Sequence, residues 1–417
     1  MHRRLLLQHF AAGASAALAS SCSSTPTSSP QARVSLGIDQ LAKAGFAPLL
    51  GRRVGFVTNQ TSVNGAGTMS RVVLQQGLGA NLKLLFGPEH GLDTRAKAGD
   101  LVANAQDEVT RLRAYSLYGE HRKPTSAMLA DVDVLVFDIQ DIGVRSYTYI
   151  STMALAMEAA GQEGKDFVVL DRPNPLGGML VEGPPVQDAF RSFVSQIPVP
   201  YRHGMTIGEL AKMMIAKGWI KANPRLTVIP MTGWRRSMNW QDTKLNWVPT
   251  SPNIPFWDTP FYCAATGILG ELKDVDIGIG TDRPFHYAAA RGIDGADMAA
   301  TLTEIMVSKG LTGFSFLPYI SRIKPGLSGV EVVIDPTNSR GLMTVGMLLI
   351  HEIVRRTNGA VLAASPVNTL DLFNKVYGND ALLTSLKNMT PWTNLVDDWE
   401  PSLQTFKQQR AEFLLYN

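Results

Sequence analysis

Four short segments carry ionisable or amide side chains where a connecting loop would need only glycine and small polar residues. They are Thr58-Asn59-Gln60-Thr61, Gly87-Pro88-Glu89-His90-Gly91, the run from Asp138 through Gln140, Asp141, Arg145 and Tyr147 to Tyr149, and Asp171-Arg172-Pro173-Asn174. A carboxyl in a stiff turn, with a second carboxyl in reach, suits acid–base cleavage of a glycosidic bond. That reaction needs a proton donor for the leaving oxygen and usually a second carboxylate. Glu89 is the first choice of donor, because Pro88 stiffens its turn and Gly87 and Gly91 let backbone approach a ligand. Asp138, Asp141, Asp171 and Glu182 are the candidates for the second carboxyl, with an Asp171–Arg172 ion pair as a competing structural role. Arg145 suits a bidentate grip on the carboxylate of an acidic sugar, and Tyr147 and Tyr149 suit stacking on a pyranose ring. Asn59, His90, Gln140, Arg172 and Asn174 complete the set as substrate-binding candidates. His203 joins them from just ahead of a helix that Thr206 is placed to cap.

Each of the four segments follows a short apolar, β-branched run: Arg53–Thr58, Leu82–Phe86, Asp133–Asp138 and Asp166–Asp171. Helical patterns occur near residues 68–78, 147–160 and 207–217, and a further strand pattern at Leu226–Ile229. Runs this apolar, separated by helices, predict a parallel sheet covered on both faces. The first domain, residues 32–255, is therefore expected to be an α/β, Rossmann-like doubly wound parallel sheet. Ligands of open α/β sheets bind beyond the carboxyl ends of the strands, so the four segments fall on one rim. Pro249, Pro252, Pro255 and Pro260 then make an extended, turn-rich stretch. Strand-like runs at 275–280, 313–317 and 330–334, with helices at 296–309, 341–355 and 395–415, predict a second, smaller α+β domain over 256–417.

A chain of 417 residues has room for two cores, and 45% apolar with 18% charged residues is globular composition. Nucleic acid is not an expected partner: the formal charge is +3, Arg3 and Arg4 contribute two of it, and no basic run occurs. Arg3-Arg4 precede an apolar stretch ending in small residues, which reads as an export signal followed by a Ser/Thr/Pro tether, together residues 1–31. Two endings compete: cleavage after Ala17-Leu18-Ala19, or a lipobox Ala19-Ser20-Ser21-Cys22 that anchors the chain by lipid on Cys22. The expected location is the periplasm or the membrane surface. Cys263 is left without a disulfide partner and reads as a small buried residue. His90, Asp93, Asp138, Asp141, His203 and His286 have no diagnostic metal spacing, so neither metal nor cofactor is expected. Gly65-Ala66-Gly67 lies too far past its strand for a dinucleotide fingerprint, and Ser321-Arg322-Ile323-Lys324 lacks the companion motifs of a serine–lysine enzyme.

Taken together, the motifs resemble one known family. Gly51-Arg52-Arg53-Val54-Gly55-Phe56, Gly87-Pro88-Glu89-His90-Gly91, Tyr115-Ser116-Leu117-Tyr118-Gly119, Asp171-Arg172-Pro173-Asn174-Pro175, Arg202-His203-Gly204-Met205-Thr206 and Ser251-Pro252-Asn253 are similar to those of the NamZ-type exo-β-N-acetylmuramidases. The likeness runs from about residue 35 to Tyr416. It implies a Rossmann-like catalytic domain plus an auxiliary domain, with the active site in the cleft between them. It also implies release of N-acetylmuramic acid from non-reducing ends of peptidoglycan fragments, with Glu89 as the catalytic residue and muropeptides as partners. Two departures stand out: Arg283-Pro284-Phe285-His286 where the family usually has Arg-Pro-Phe-Glu, and Gly270-Glu271-Leu272-Lys273-Asp274-Val275 in the loop before it. Those departures open two alternatives, a related hydrolase with a changed sugar preference and a muropeptide-binding lipoprotein without activity. A metal-dependent hydrolase is a third, marked by sensitivity to chelators.

Overall fold

The computed structural model describes residues 33–338 and 340–417; the expected leader, the tether and Cys22 lie outside the described residues. Seven strands form the larger sheet: β1 (Val54–Thr58), β2 (Leu82–Gly87), β3 (Ala105–Gln106), β4 (Arg113–Ser116), β5 (Val134–Asp138), β6 (Asp166–Leu170) and β7 (Leu226–Ile229). Their order is β3-β4-β2-β1-β5-β6-β7. All neighbours pair in parallel except β3, a short edge strand antiparallel to β4.

Successive side chains of a strand point to opposite faces, and here both faces are apolar. Phe56, Leu85, Val136 and Leu170 enter one core, and Val57, Phe86, Phe137 and Val169 enter the other. This is why the strands read as unbroken apolar runs rather than alternating ones. The first core is closed by Ile38 and Leu41 of the helix Gly37–Lys43 and by Leu74 and Leu78 of the helix Ser70–Leu78. The helices Tyr149–Gln162 and Ile207–Ala216 cover the other face. Thr206 caps the latter as expected, in a reciprocal arrangement with Glu209. The strand order reverses between β1 and β5, which opens a crevice at their carboxyl ends.

The smaller sheet is antiparallel, ordered β10-β11-β9-β8, with β8 (Val275–Asp276), β9 (Tyr287–Arg291), β10 (Phe314–Ile320) and β11 (Leu327–Ile334). Sequence patterning misses β9, because its Ala288-Ala289-Ala290 centre has no strand preference of its own and is held by pairing on both sides. It also misses the helix Thr259–Thr266, whose Pro260 sits in the first turn, where proline costs no hydrogen bond. Phe261, Val330, Leu348 and Ile353 belong to the same core as Val57 and Phe137. The two sheets thus share one continuous apolar interior, and residues 33–417 form one compact unit. No helix among the described residues is long and apolar enough to cross a membrane.

Candidate active site

Glu89 follows the carboxyl end of β2 in a turn that the Gly91 N–H closes by donating to the Pro88 carbonyl at 3.0 Å. His90 takes a left-handed backbone (φ 70°) and Gly91 the same (φ 80°). A non-glycine residue held there costs on the order of 1 kcal/mol, and such strain gathers at functional sites. Gly87, by contrast, would admit a Cβ at ordinary contact distance, so its role as an approach point is not needed.

Glu89 is buried, yet its surroundings are polar. Its Oε1 accepts from the Gly99 N–H at 3.0 Å and its Oε2 from the Thr148 hydroxyl at 2.5 Å. Thr148 is the N-cap residue of the helix Tyr149–Gln162, but its hydroxyl goes to Glu89 instead of to the helix. The carboxylate therefore lies at the positive end of that helix. The Tyr118 phenol is a third hydrogen-bonding partner; burial first, and then the Glu89 charge, push its pKa up. His90 Nδ1 lies 2.7 Å from the Ala96 carbonyl, which can only accept, so Nδ1 carries the proton and Nε2 is the free nitrogen.

These groups open on a cleft of about 860 Å³, its mouth included, which also reaches residues of the smaller sheet's half. Tyr147, Tyr201 and Phe285 give it aromatic walls, and Ser251 and Asn253 from the proline-rich stretch add polar ones. Tyr147 is fixed by donating to Thr250 at 2.8 Å and by an edge contact with Tyr149 at 4.8 Å. The same cleft is lined by Glu271, which sequence reasoning did not single out. It ends a short turn of 3-10 helix, Gly267–Glu271, and among the described residues no cation pairs with it. Burial alone raises its pKa to about 7. The cleft thus brings together two carboxyls in different settings, one held by donors and one desolvated. Cys263 also lines it, but burial pushes its thiol up to about 12, so it stays protonated and inert.

Several expected site residues are committed elsewhere. Arg145 is fully buried and donates to the Ser195 hydroxyl and to the carbonyls of Pro184, Val199, Val376 and Tyr377. It ties the two halves of the chain together and has no N–H left for a sugar carboxylate. Arg145→Met is expected to cost about 3 kcal/mol of stability, since buried carbonyls lose their donors, while leaving the preference for acidic over neutral sugars unchanged. A denaturation midpoint close to wild type, together with lost preference, would contradict that role. Asp138 is fully buried in a two-pronged pair with Arg172, whose Nη2 also donates to the Val63 carbonyl at 2.8 Å. Asp171 does not ion-pair with the Arg172 guanidinium: it accepts from the Arg172 backbone N–H, from Thr206, Gly208 and Tyr416, and burial raises its pKa to about 6.

Asn59 accepts from Thr61, and Asn174 bridges Leu176 and Met205. Glu182 pairs with Arg202 at 2.7 Å. Gln140 donates to the Asp141 and Pro173 carbonyls, beneath the rim. His203 accepts from the Met205 N–H and is held neutral, with burial lowering its pKa to about 3; its Nε2 lies 3.9 Å from Asp141. Asp141 is buried as well, raised to about 7, and accepts from the Gly143 N–H at 2.7 Å. Neither member of this pair lines the cleft. His286 is stacked on Tyr262 at 3.6 Å, outside the cleft, so of that departure from the family pattern only its neighbour Phe285 faces the site. No cluster of metal-binding side chains occurs among the described residues.

An open α/β sheet whose strand-end cleft holds two carboxyls suits a hydrolase of the glycosidase class. Comparison with known proteins makes the family definite. Residues 54–258 match the family model described as exo-beta-N-acetylmuramidase NamZ, N-terminal, and residues 261–416 match its C-terminal counterpart. The chain is 38% identical over 390 residues, 92% of each chain, to the peptidoglycan beta-N-acetylmuramidase NamZ of Bacillus subtilis. Two solved structures of DUF1343 family proteins from Bacteroides fragilis share the fold. One has a TM-score of 0.85 at 38% identity, covering 93% of this chain and 100% of its own. The other has a TM-score of 0.71 at 25% identity, covering 93% and 99%. The chain belongs to the NamZ exo-β-N-acetylmuramidase family.

Proposed function

We propose that the protein is an exo-acting β-N-acetylmuramidase that releases N-acetylmuramic acid from non-reducing ends of peptidoglycan fragments. The observation that carries this reading is the meeting of Glu89 and Glu271 in one aromatic-walled cleft. Glycosidases divide acid and base work between two carboxyls whose surroundings push them apart. Glu271, desolvated and raised to about 7, holds a proton near neutral pH and serves as the acid. Glu89, whose oxygens accept from a backbone N–H and a threonine hydroxyl at a helix N-terminus, acts as the anion facing the anomeric carbon. This reverses the donor role that the sequence suggests for Glu89.

As the bond from C1 to the bridging oxygen breaks, the Glu271 proton passes to the departing sugar's hydroxyl. The Glu89 carboxylate stabilises the positive charge that develops at C1. Water then supplies the hydroxyl at C1 and a proton that restores Glu271. The aromatic walls suit the ring faces of a pyranose, and the free Nε2 of His90 and the amide of Asn253 are placed for its polar substituents. Paired chromogenic glycosides test the activity: 4-nitrophenyl β-N-acetylmuraminide is expected to be hydrolysed, and its N-acetylglucosamine counterpart much more slowly. Equal rates on the two would defeat the assignment.

The same proposal places the work outside the cytoplasm. Arg3-Arg4, the apolar stretch behind them and the Ser/Thr/Pro-rich tether support export, either in soluble form or anchored by lipid on Cys22.

A further inference from the structure

An N-acetylmuramic acid residue differs from N-acetylglucosamine by a lactyl ether ending in a carboxylate, so a selective cleft needs a cation to meet it. Arg145 is excluded by its burial and its carbonyl partners. Arg283 is committed to Glu331. We infer that Arg122 is the residue that reads the substrate carboxylate; this rests on the proposed function and adds its specificity element.

Arg122 follows the Tyr118-Gly119 turn beyond β4 and packs on Tyr118, which lines the cleft together with Glu89. Its guanidinium carbon sits 3.5 Å from the centroid of the Tyr118 ring and 4.7 Å from that of Phe193. Those two rings pack on each other at 5.7 Å with a tilt of 49°. Tyr118 lines the cleft and hydrogen-bonds Glu89, so the aromatic platform that holds Arg122 also touches the reacting end of the site. Among the described residues Arg122 has no carboxylate partner, whereas Arg172 and Arg202 are ion-paired. A guanidinium stacked by its face is fixed in direction, and although one N–H also bonds the Tyr118 phenol, the rest of its five-donor fork is left for parallel bonds to a carboxylate. Half-buried on an apolar platform, it is also partly desolvated, so that contact is stronger than an exposed pair.

The test compares two chromogenic β-muraminides, one with the free lactyl acid and one with its methyl ester, on the wild type, Arg122→Met and Arg122→Lys. The wild type is expected to favour the acid by about tenfold or more in kcat/KM. Arg122→Met should lose that preference chiefly through KM on the acid, with ester hydrolysis lowered no more than about threefold. Arg122→Lys should recover part of the preference, because an ammonium keeps the charge without the fork. A preference unchanged in Arg122→Met would overturn the inference, and so would an equal loss on both substrates, which would mark Arg122 as a prop for Tyr118. Failure of the wild type to cleave either glycoside would instead overturn the functional reading on which it rests.

Discussion

Glu89→Gln is expected to lower kcat/KM on an aryl β-N-acetylmuraminide by about 10³-fold or more while leaving the fold intact. The local geometry makes this substitution a clean one. The amide oxygen of glutamine can accept from the fixed Gly99 N–H, as Oε1 of Glu89 does. The amide nitrogen then meets the Thr148 hydroxyl, which can rotate to accept instead of donate. The hydrogen-bond count is nearly kept, so stability should change by no more than about 1 kcal/mol. What is lost is the negative charge at the helix N-terminus, and with it the stabilisation of charge at the anomeric carbon. Near-wild-type kcat in a folded variant would remove Glu89 from the chemistry.

The second large effect concerns Glu271 and depends on the leaving group. A general acid contributes about 10²–10⁴-fold where the departing oxygen needs a proton, and little where it does not. Glu271→Gln should therefore lose that much on a natural sugar leaving group and far less on 2,4-dinitrophenyl, whose oxygen leaves unprotonated. Glu89→Gln should lose activity on both. The pH profile carries the same signature: Glu271 must be protonated, and its pKa stands at about 7, so kcat/KM should fall as pH rises above neutrality. In Glu271→Gln that alkaline limb should vanish. Equal losses on both leaving groups, with the limb intact, would give the proton to another residue.

The strand ends were legible in the sequence because a doubly buried parallel sheet writes itself as apolar runs, and the residues after each run must reach the rim. Glu89 was readable for that reason. Which rim residue turns into the cleft was not readable, because the partners that decide it are remote in sequence. Asp171 and Arg172 look like a pair, yet consecutive residues at a strand end point to opposite sides, and Arg172 meets Asp138 on the neighbouring strand end instead. Arg145 gave no local hint of burial: its acceptors come from residues 184, 195, 199, 376 and 377. Glu271 stands outside the strand-end map altogether, in a short helical turn of the other half, and only the unusual segment Gly270–Val275 pointed toward it. That segment keeps a carboxyl in the cleft, so the altered loop does not by itself argue for a protein without activity.

The sugar that leaves the cleft decides the assignment. Two defined disaccharides, one with N-acetylmuramic acid and one with N-acetylglucosamine at the non-reducing end, should be incubated with the wild-type protein and the products identified by mass spectrometry. Free N-acetylmuramic acid from the first, and no cleavage of the second, is the predicted result. Tight binding of the first disaccharide with no product over hours, or release of N-acetylglucosamine from the second at a comparable rate, would contradict it.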